Sequence, residues 1–217
     1  MPKKNNRVKR DVAPVMHIYC EGEKTEPNYL QKYIDALGTS VGRRRDVVKI
    51  EPTTKNTPVE LVDVAIKRKK SPLTPAGDVF WVVYDRESVT KYPDASHAKA
   101  RARADSNGVK IALSNVCFEL WLLLHMKPNT APFISYADLM ARSDFKKELA
   151  KRGVHDYEKG NADIFELLCR DIGDARARAL AMNSATLSSA PKGIVAPHQL
   201  NPHCDIPLLL DAIDNFK

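Results

Sequence analysis

No apolar run in this chain approaches the length of a membrane span, and no apolar segment of signal-peptide length follows the basic N-terminus. The four cysteines, Cys20, Cys117, Cys169 and Cys204, include no C-x-x-C pair. Three of them sit in apolar surroundings, which predicts buried reduced thiols and not a disulfide framework. Together these absences predict a soluble cytoplasmic protein. Gly22 belongs to no phosphate-binding P-loop and no dinucleotide fingerprint. Ser88 has no histidine beside it, so no nucleophilic triad is written here. His198, His203 and Cys204 match no zinc spacing and lack a fourth ligand. There is no internal repeat.

What the chain does have is an apolar fraction of 43% over 217 residues, enough for a core and for one domain with a sizeable extension. Lys and Arg number 34 against 27 Asp and Glu, a formal charge of +7 that favours an anionic partner such as nucleic acid. The excess is grouped. Residues 1–12 read as a flexible basic arm, and Arg43, Arg44 and Arg45 as a charged loop tip. Lys67, Lys69 and Lys70 end a helix, where they complement the helix dipole and could also line a phosphate track.

In chain order, Val15 to Cys20 reads as a strand buried on both faces. Gly22 turns the chain into a helix with Thr25 as N-cap and Glu26 and Pro27 in its first turn. Its apolar stripe is Tyr29, Leu30, Tyr33, Ile34 and Leu37, and Gly38 is expected to end it. A short strand at 47–50, a helix from Thr57-Pro58, a strong strand at 78–84, an exposed helix near 94–105 and a strand at 109–113 follow. Strand and helix alternate four times, which predicts a four-stranded parallel sheet with right-handed crossovers. A helix from Asn115 to Met126 is apolar nearly all round and is therefore expected to be buried. Further helices are expected near 135–150, 160–170, 172–183 and 205–216.

The strand ends carry acids. One strand ends in Glu21-Gly22 and another in Asp85-Arg86-Glu87. Residues i and i+2 of an extended segment point the same way, so Asp85 and Glu87 are expected to converge on one hard cation, with Glu21 approaching from the neighbouring strand. Oxygen ligands suit Mg²⁺ or Mn²⁺. Glu119, buried in an apolar helix, needs a partner or a metal, and Asn115 is expected on its face.

The glutamate-glycine pair after the first strand and the D-x-E after the third resemble the Toprim pattern, with Glu in place of its last Asp. A longer resemblance rests on two blocks. Residues 20–29, Cys-Glu-Gly-Glu-Lys-Thr-Glu-Pro-Asn-Tyr, and residues 114–125, Ser-Asn-Val-Cys-Phe-Glu-Leu-Trp-Leu-Leu-Leu-His, look like the RloB family, with Val116 where that family usually has proline. The resemblance implies an α/β, Toprim-like core over 13–127 and an α-helical C-terminal extension over 128–217. It further implies a metal-dependent nuclease acting in anti-phage defence, with RNA or tRNA ahead of DNA as substrate. An ATPase partner encoded alongside is the associated expectation, and a homo-oligomer is left open. Within it, Asp85 and Glu87 hold Mg²⁺ or Mn²⁺, and Glu21 is a further ligand or moves a proton. Lys24 neutralises the scissile phosphate unless it is simply solvated, and Glu119 is a site residue or supports one. Asn115 and His125 are expected just behind the site, although a hydrogen-bonded core histidine is the plainer reading of His125. The other class of function is a non-catalytic Toprim-like defence subunit that binds nucleic acid or a partner ATPase.

Overall fold

The computed structural model describes residues 13–41 and 47–216. The basic arm and Arg43, Arg44 and Arg45 lie outside the described residues. The elements are β1 (Met16–Cys20), α1 (Thr25–Val41), β2 (Val48–Glu51), α2 (Pro58–Lys69), β3 (Val79–Asp85), α3 (Asp94–Asn107), β4 (Lys110–Asn115) and α4 (Glu119–Met126). The second half supplies α5 (Tyr136–Arg142), α6 (Phe145–Ala150), α7 (Ile164–Leu168), α8 (Ile172–Ser189), β5 (His203–Cys204) and α9 (Ile206–Asn215).

The sheet has five strands in the order β2-β1-β3-β4-β5, not the four expected. The first four are parallel, and β5 pairs antiparallel with β4 through Ser114–Cys204 and Asn115–His203. A two-residue strand carries no periodicity, which is why it could not be read from sequence.

Alternation along each strand builds two cores. Met16, Ile18, Cys20, Trp81 and Val83 face α1, α4 and the later helices, whereas Tyr19, Phe80, Val82 and Tyr84 face α2 and α3. The first cluster runs without a break from Tyr29 and Trp121 to Phe165, Ala175 and Leu209, so the extension shares the core of the α/β half.

Several boundaries moved, and α8, expected near 172–183, runs on to Ser189. Helix α1 continues past Gly38 to Val41, the long helix expected at 135–150 is split by Ser143–Asp144, and α4 opens at Glu119. Asn115 is thus the last residue of β4, because its backbone still pairs with β5. Pro58 and Thr57 open α2 as expected, with Thr57 Oγ1 accepting from the Glu60 N–H. A crossover helix runs antiparallel to the strands it joins, so the last turn of α2 lies at the amino ends of the strands. There Lys69 Nζ donates to the Gly108 carbonyl, just before β4 (2.7 Å). Lys67, Lys69 and Lys70 therefore sit at the edge of the sheet opposite to the acids, and no phosphate track along them runs beside Glu21 and Asp85.

Candidate functional site

At the carboxyl ends of β1, β3 and β4 opens a cavity of about 320 Å³ lined by Glu21, Gly22, Glu23, Lys24, Thr25, Glu26, Asn56, Asp85, Glu87, Lys91, Phe118, Glu119 and Lys159. This is where open α/β sheets bind their ligands. Strand pairing sets the acids side by side: the Glu21 N–H donates to the Val83 carbonyl (2.9 Å), and Glu21 Oε2 accepts from the Asp85 N–H (3.0 Å). Helices α1 and α4 both open at the cavity, bringing Glu26 and Glu119 in their first turns and the positive ends of their dipoles.

Sequence reasoning missed Glu26, taking it for an ordinary first-turn acid. It is buried, and its carboxylate fills the space a Cβ would take at Gly22. Gly22 thus serves the close approach of the Glu26 carboxylate, and its backbone is not in the left-handed region. A buried helix opening directly after a glycine was the available signal.

Glu87 reaches the cavity by a route unlike the one expected. Its φ is +57°, so the segment is not extended and the i, i+2 argument does not apply. The turn is held by the Arg86 and Glu87 N–H groups donating to the Ser114 and Val116 carbonyls (2.8 and 3.0 Å). A glutamate in the left-handed region costs on the order of 1 kcal/mol, a strain that surrounding structure must impose. Arg86, also missed, helps impose it. This buried guanidinium donates to the His198 carbonyl (3.0 Å), the Tyr92 carbonyl (2.9 Å) and Asp94 Oδ1 (2.7 Å), bracing the loop between the two acids.

Burial raises the pKa of Glu21 to about 7, with Glu87 and Glu26 adding to the rise against the Asp85 N–H and Lys91. Burial likewise holds Glu26 above the usual range, with Glu119 and Glu87 adding to the rise, and Asp85 well above it, with Glu26, Glu119 and Glu21 adding to the rise. For Lys159, burial works against the charge, but Glu119 and Asp85 outweigh it and raise the pKa. Lys91 is raised the same way by its bond to Glu87 (2.7 Å).

Glu119 is 1% exposed; its Oε1 accepts from the Tyr157 hydroxyl (3.3 Å) and its Oε2 is buried without a partner. A buried carboxylate oxygen with nothing to meet costs free energy unless something arrives. Among the described residues no three His, Cys, Asp or Glu side chains lie close enough together, as they stand, to hold a metal ion. The donor set nevertheless fits a hard divalent cation by its chemistry: every acid is an oxygen ligand, the acids repel one another, and Glu119 Oε2 is open.

The remaining candidates are placed as follows. Lys24 is exposed at the rim, its stem against Gly160. Thr25 is buried and accepts from the Gly160 N–H (2.9 Å), tying α1 to a loop of the second half. Asn115 does not share a helix face with Glu119; its amide donates to the Leu200 carbonyl (2.6 Å), on a separate cavity with Arg86 and His198. His125 is outside the carboxylate cavity. It donates from Nδ1 to the Trp121 carbonyl (2.9 Å) and accepts at Nε2 from the Tyr29 hydroxyl (2.8 Å), and burial lowers its pKa to about 4. Lys159 had no sequence signal at all, lying in a polar loop between α6 and α7.

No curated protein and no solved structure matches the chain. A family model described as RloB-like protein matches residues 16–213, which spans every element that lines the cavity, and the chain accordingly belongs to the RloB-like protein family.

Proposed function

We propose that this cavity is the active site of a Mg²⁺- or Mn²⁺-dependent Toprim-type nuclease that hydrolyses phosphodiester bonds in anti-phage defence, with RNA, and tRNA in particular, ahead of DNA. The observation that carries the reading is the gathering of Glu21, Glu26, Asp85, Glu87 and Glu119 around one cavity at the strand ends, with an oxygen of Glu119 buried and unmatched. Asp85 and Glu119 are the residues that would hold the cation, with Glu87 beside them. The cation would supply charge to offset the growing negative charge on the phosphate oxygens. Glu21 takes the proton of the attacking water, or else adds a further oxygen to the ligand set. The water oxygen bonds to phosphorus, the ester P–O bond breaks, and the departing oxygen is protonated from solvent. Arg86 and the strained turn at Glu87 keep the acids from drifting apart. The net charge of +7 favours a polyanion as substrate.

A second reading, a non-catalytic defence subunit that binds nucleic acid or a partner ATPase, is favoured by one observation: Glu87 is already paired with Lys91 (2.7 Å). The test is incubation of purified protein with total tRNA, single-stranded RNA and plasmid DNA in Mg²⁺, Mn²⁺ or EDTA, beside Glu21→Gln and a Mn²⁺ titration. Metal-dependent cutting lost in the variant is expected. Absence of both cutting and Mn²⁺ binding would leave the binding subunit.

A further inference from the structure

We infer that Lys159 is the cation that receives the non-bridging oxygens of the phosphate under attack, and that residues 157–160 are latched onto the cavity to present it. The inference rests on the reading of the cavity as a metal-dependent phosphodiesterase site and assigns, within it, the phosphate-binding group to the helical half of the chain.

Three lysines line the cavity, and their surroundings differ. Lys91 is engaged by Glu87 (2.7 Å). Lys24 and Lys159 are both exposed, and the Lys24 stem is packed under Gly160. Lys159 forms no ion pair with any described carboxylate; its ammonium is held 4.2 Å from the centre of the Tyr136 ring. A lysine beside several acids would ordinarily collapse onto the nearest one. The aromatic face holds the charge in place by cation–π attraction while leaving three N–H donors uncommitted to an acceptor. An ammonium poised but unpaired at the mouth of an acidic cavity is what an incoming phosphate needs, since the acids alone would repel it.

The loop that carries Lys159 is fastened on both sides of it. Before it, the Tyr157 hydroxyl donates to Glu119 Oε1 (3.3 Å); after it, the Gly160 N–H donates to Thr25 Oγ1 (2.9 Å). Gly160 has φ +84°, and a Cβ there would strike the Lys24 stem, so the close approach of loop to helix depends on glycine. Both fastenings end on cavity residues. The loop therefore moves with the acids, and Lys159 keeps a fixed place relative to them.

The experiment uses the full chain as wild type, K159M, K159R and K24M. Each is titrated with Mn²⁺, followed by electron paramagnetic resonance, and then, loaded with Mn²⁺, with inorganic phosphate. K159M is expected to bind Mn²⁺ as tightly as wild type or several-fold tighter, because a repelling charge is gone, and to bind phosphate at least tenfold more weakly. K159R is expected to recover most of the phosphate affinity, and K24M to shift it less than K159M does. Unchanged phosphate binding in K159M overturns the inference. So does a parallel loss of Mn²⁺ and phosphate together with a lowered melting temperature, the signature of a mere structural strap. Wild-type protein that binds no Mn²⁺ sinks the metal-dependent reading itself, and this assignment with it.

Discussion

Strand β1 serves two buried groups of acids that are built in opposite ways. Toward its amino end, His17 is clamped between Glu51 (Nδ1 to Oε1, 2.6 Å) and Asp78 (Nε2 to Oδ2, 3.0 Å). The other oxygen of Asp78 accepts from the Val15 N–H (2.9 Å), and the imidazole stacks on Phe80 with ring centres 4.8 Å apart. Asp78 has both oxygens met. At the carboxyl end, Glu21, Glu26, Asp85 and Glu119 face one another, and Lys91 is committed to Glu87. The first group holds strands together. The second works against the fold, because burial and like charge both disfavour its ionised carboxylates. On the proposed reading the same residue type marks structure in one place and chemistry in the other, and partner accounting tells them apart.

The largest effect is expected where the satisfied group is broken. His17→Phe keeps the stack on Phe80 but strands Glu51 and Asp78, and should cost about 3 kcal/mol in urea unfolding at pH 7. A neutral result would mean that those acids find water or another partner, and the contrast between the two ends of β1 would dissolve.

The next effect separates buried groups by pH. His125 has a folded pKa of about 4, below the 6.5 of an unfolded histidine. The neutral ring is favoured in the fold, so its contribution is present above about pH 6.5 and is lost as pH falls toward 4. By pH 5 the loss is about 2 kcal/mol. Glu21 runs the other way. With a folded pKa of about 7 against 4.5, it penalises the fold fully above pH 7, and the penalty disappears as pH falls to 4.5. Unfolding curves of wild type and His125→Asn at pH 7 and pH 5 isolate the first term as a difference. Parallel pH dependence in the two proteins would show that His125 does not titrate in this way.

Legibility of the chain in the sequence follows the same division. The strands β1, β3 and β4 and the acids at their ends were readable, because a short apolar run bounded by turns and charges fits a buried strand better than a helix. Glu119 was readable as an anomaly in an apolar helix. Asn115 was misplaced because β4 extends two residues beyond its apolar run to pair with β5, an element too short to announce itself. Glu26 was hidden by the expectation that a first-turn acid only caps its helix. Glu87 came to the cavity through a positive φ that no local pattern encodes in a glutamate. Lys159, Tyr157 and the His198 carbonyl that braces Arg86 come from loops, whose positions are set by tertiary packing and leave no period in the sequence.

A smaller effect, of opposite sign to the first, tests the other end of β1. Asp85→Asn removes a buried acid whose ionised form is disfavoured by burial and by the acids around it. It is expected to leave unfolding free energy in the absence of metal unchanged or raised by about 1 kcal/mol, while lowering Mn²⁺ affinity at least tenfold. Marked destabilisation would make Asp85 a structural acid like Asp78.

The smallest expected change concerns the join between the two halves. Thr25→Val keeps the shape of a side chain that is buried at the start of α1 but removes the oxygen that accepts from the Gly160 N–H. The unpaired amide should cost about 1 kcal/mol. The more telling readout is local. Hydrogen exchange at the Gly160 amide should accelerate, because that proton loses its acceptor, while amides of β1 and β3, bonded within the sheet, keep their protection. Exchange at Gly160 as slow as in wild type would mean that the loop is held by Tyr157 and Lys159 alone, and that the hydroxyl at the mouth of α1 is a bystander. Faster exchange confined to residues near 160 would show that one threonine couples the helical half to the acids, through a bond that spans 135 positions of sequence.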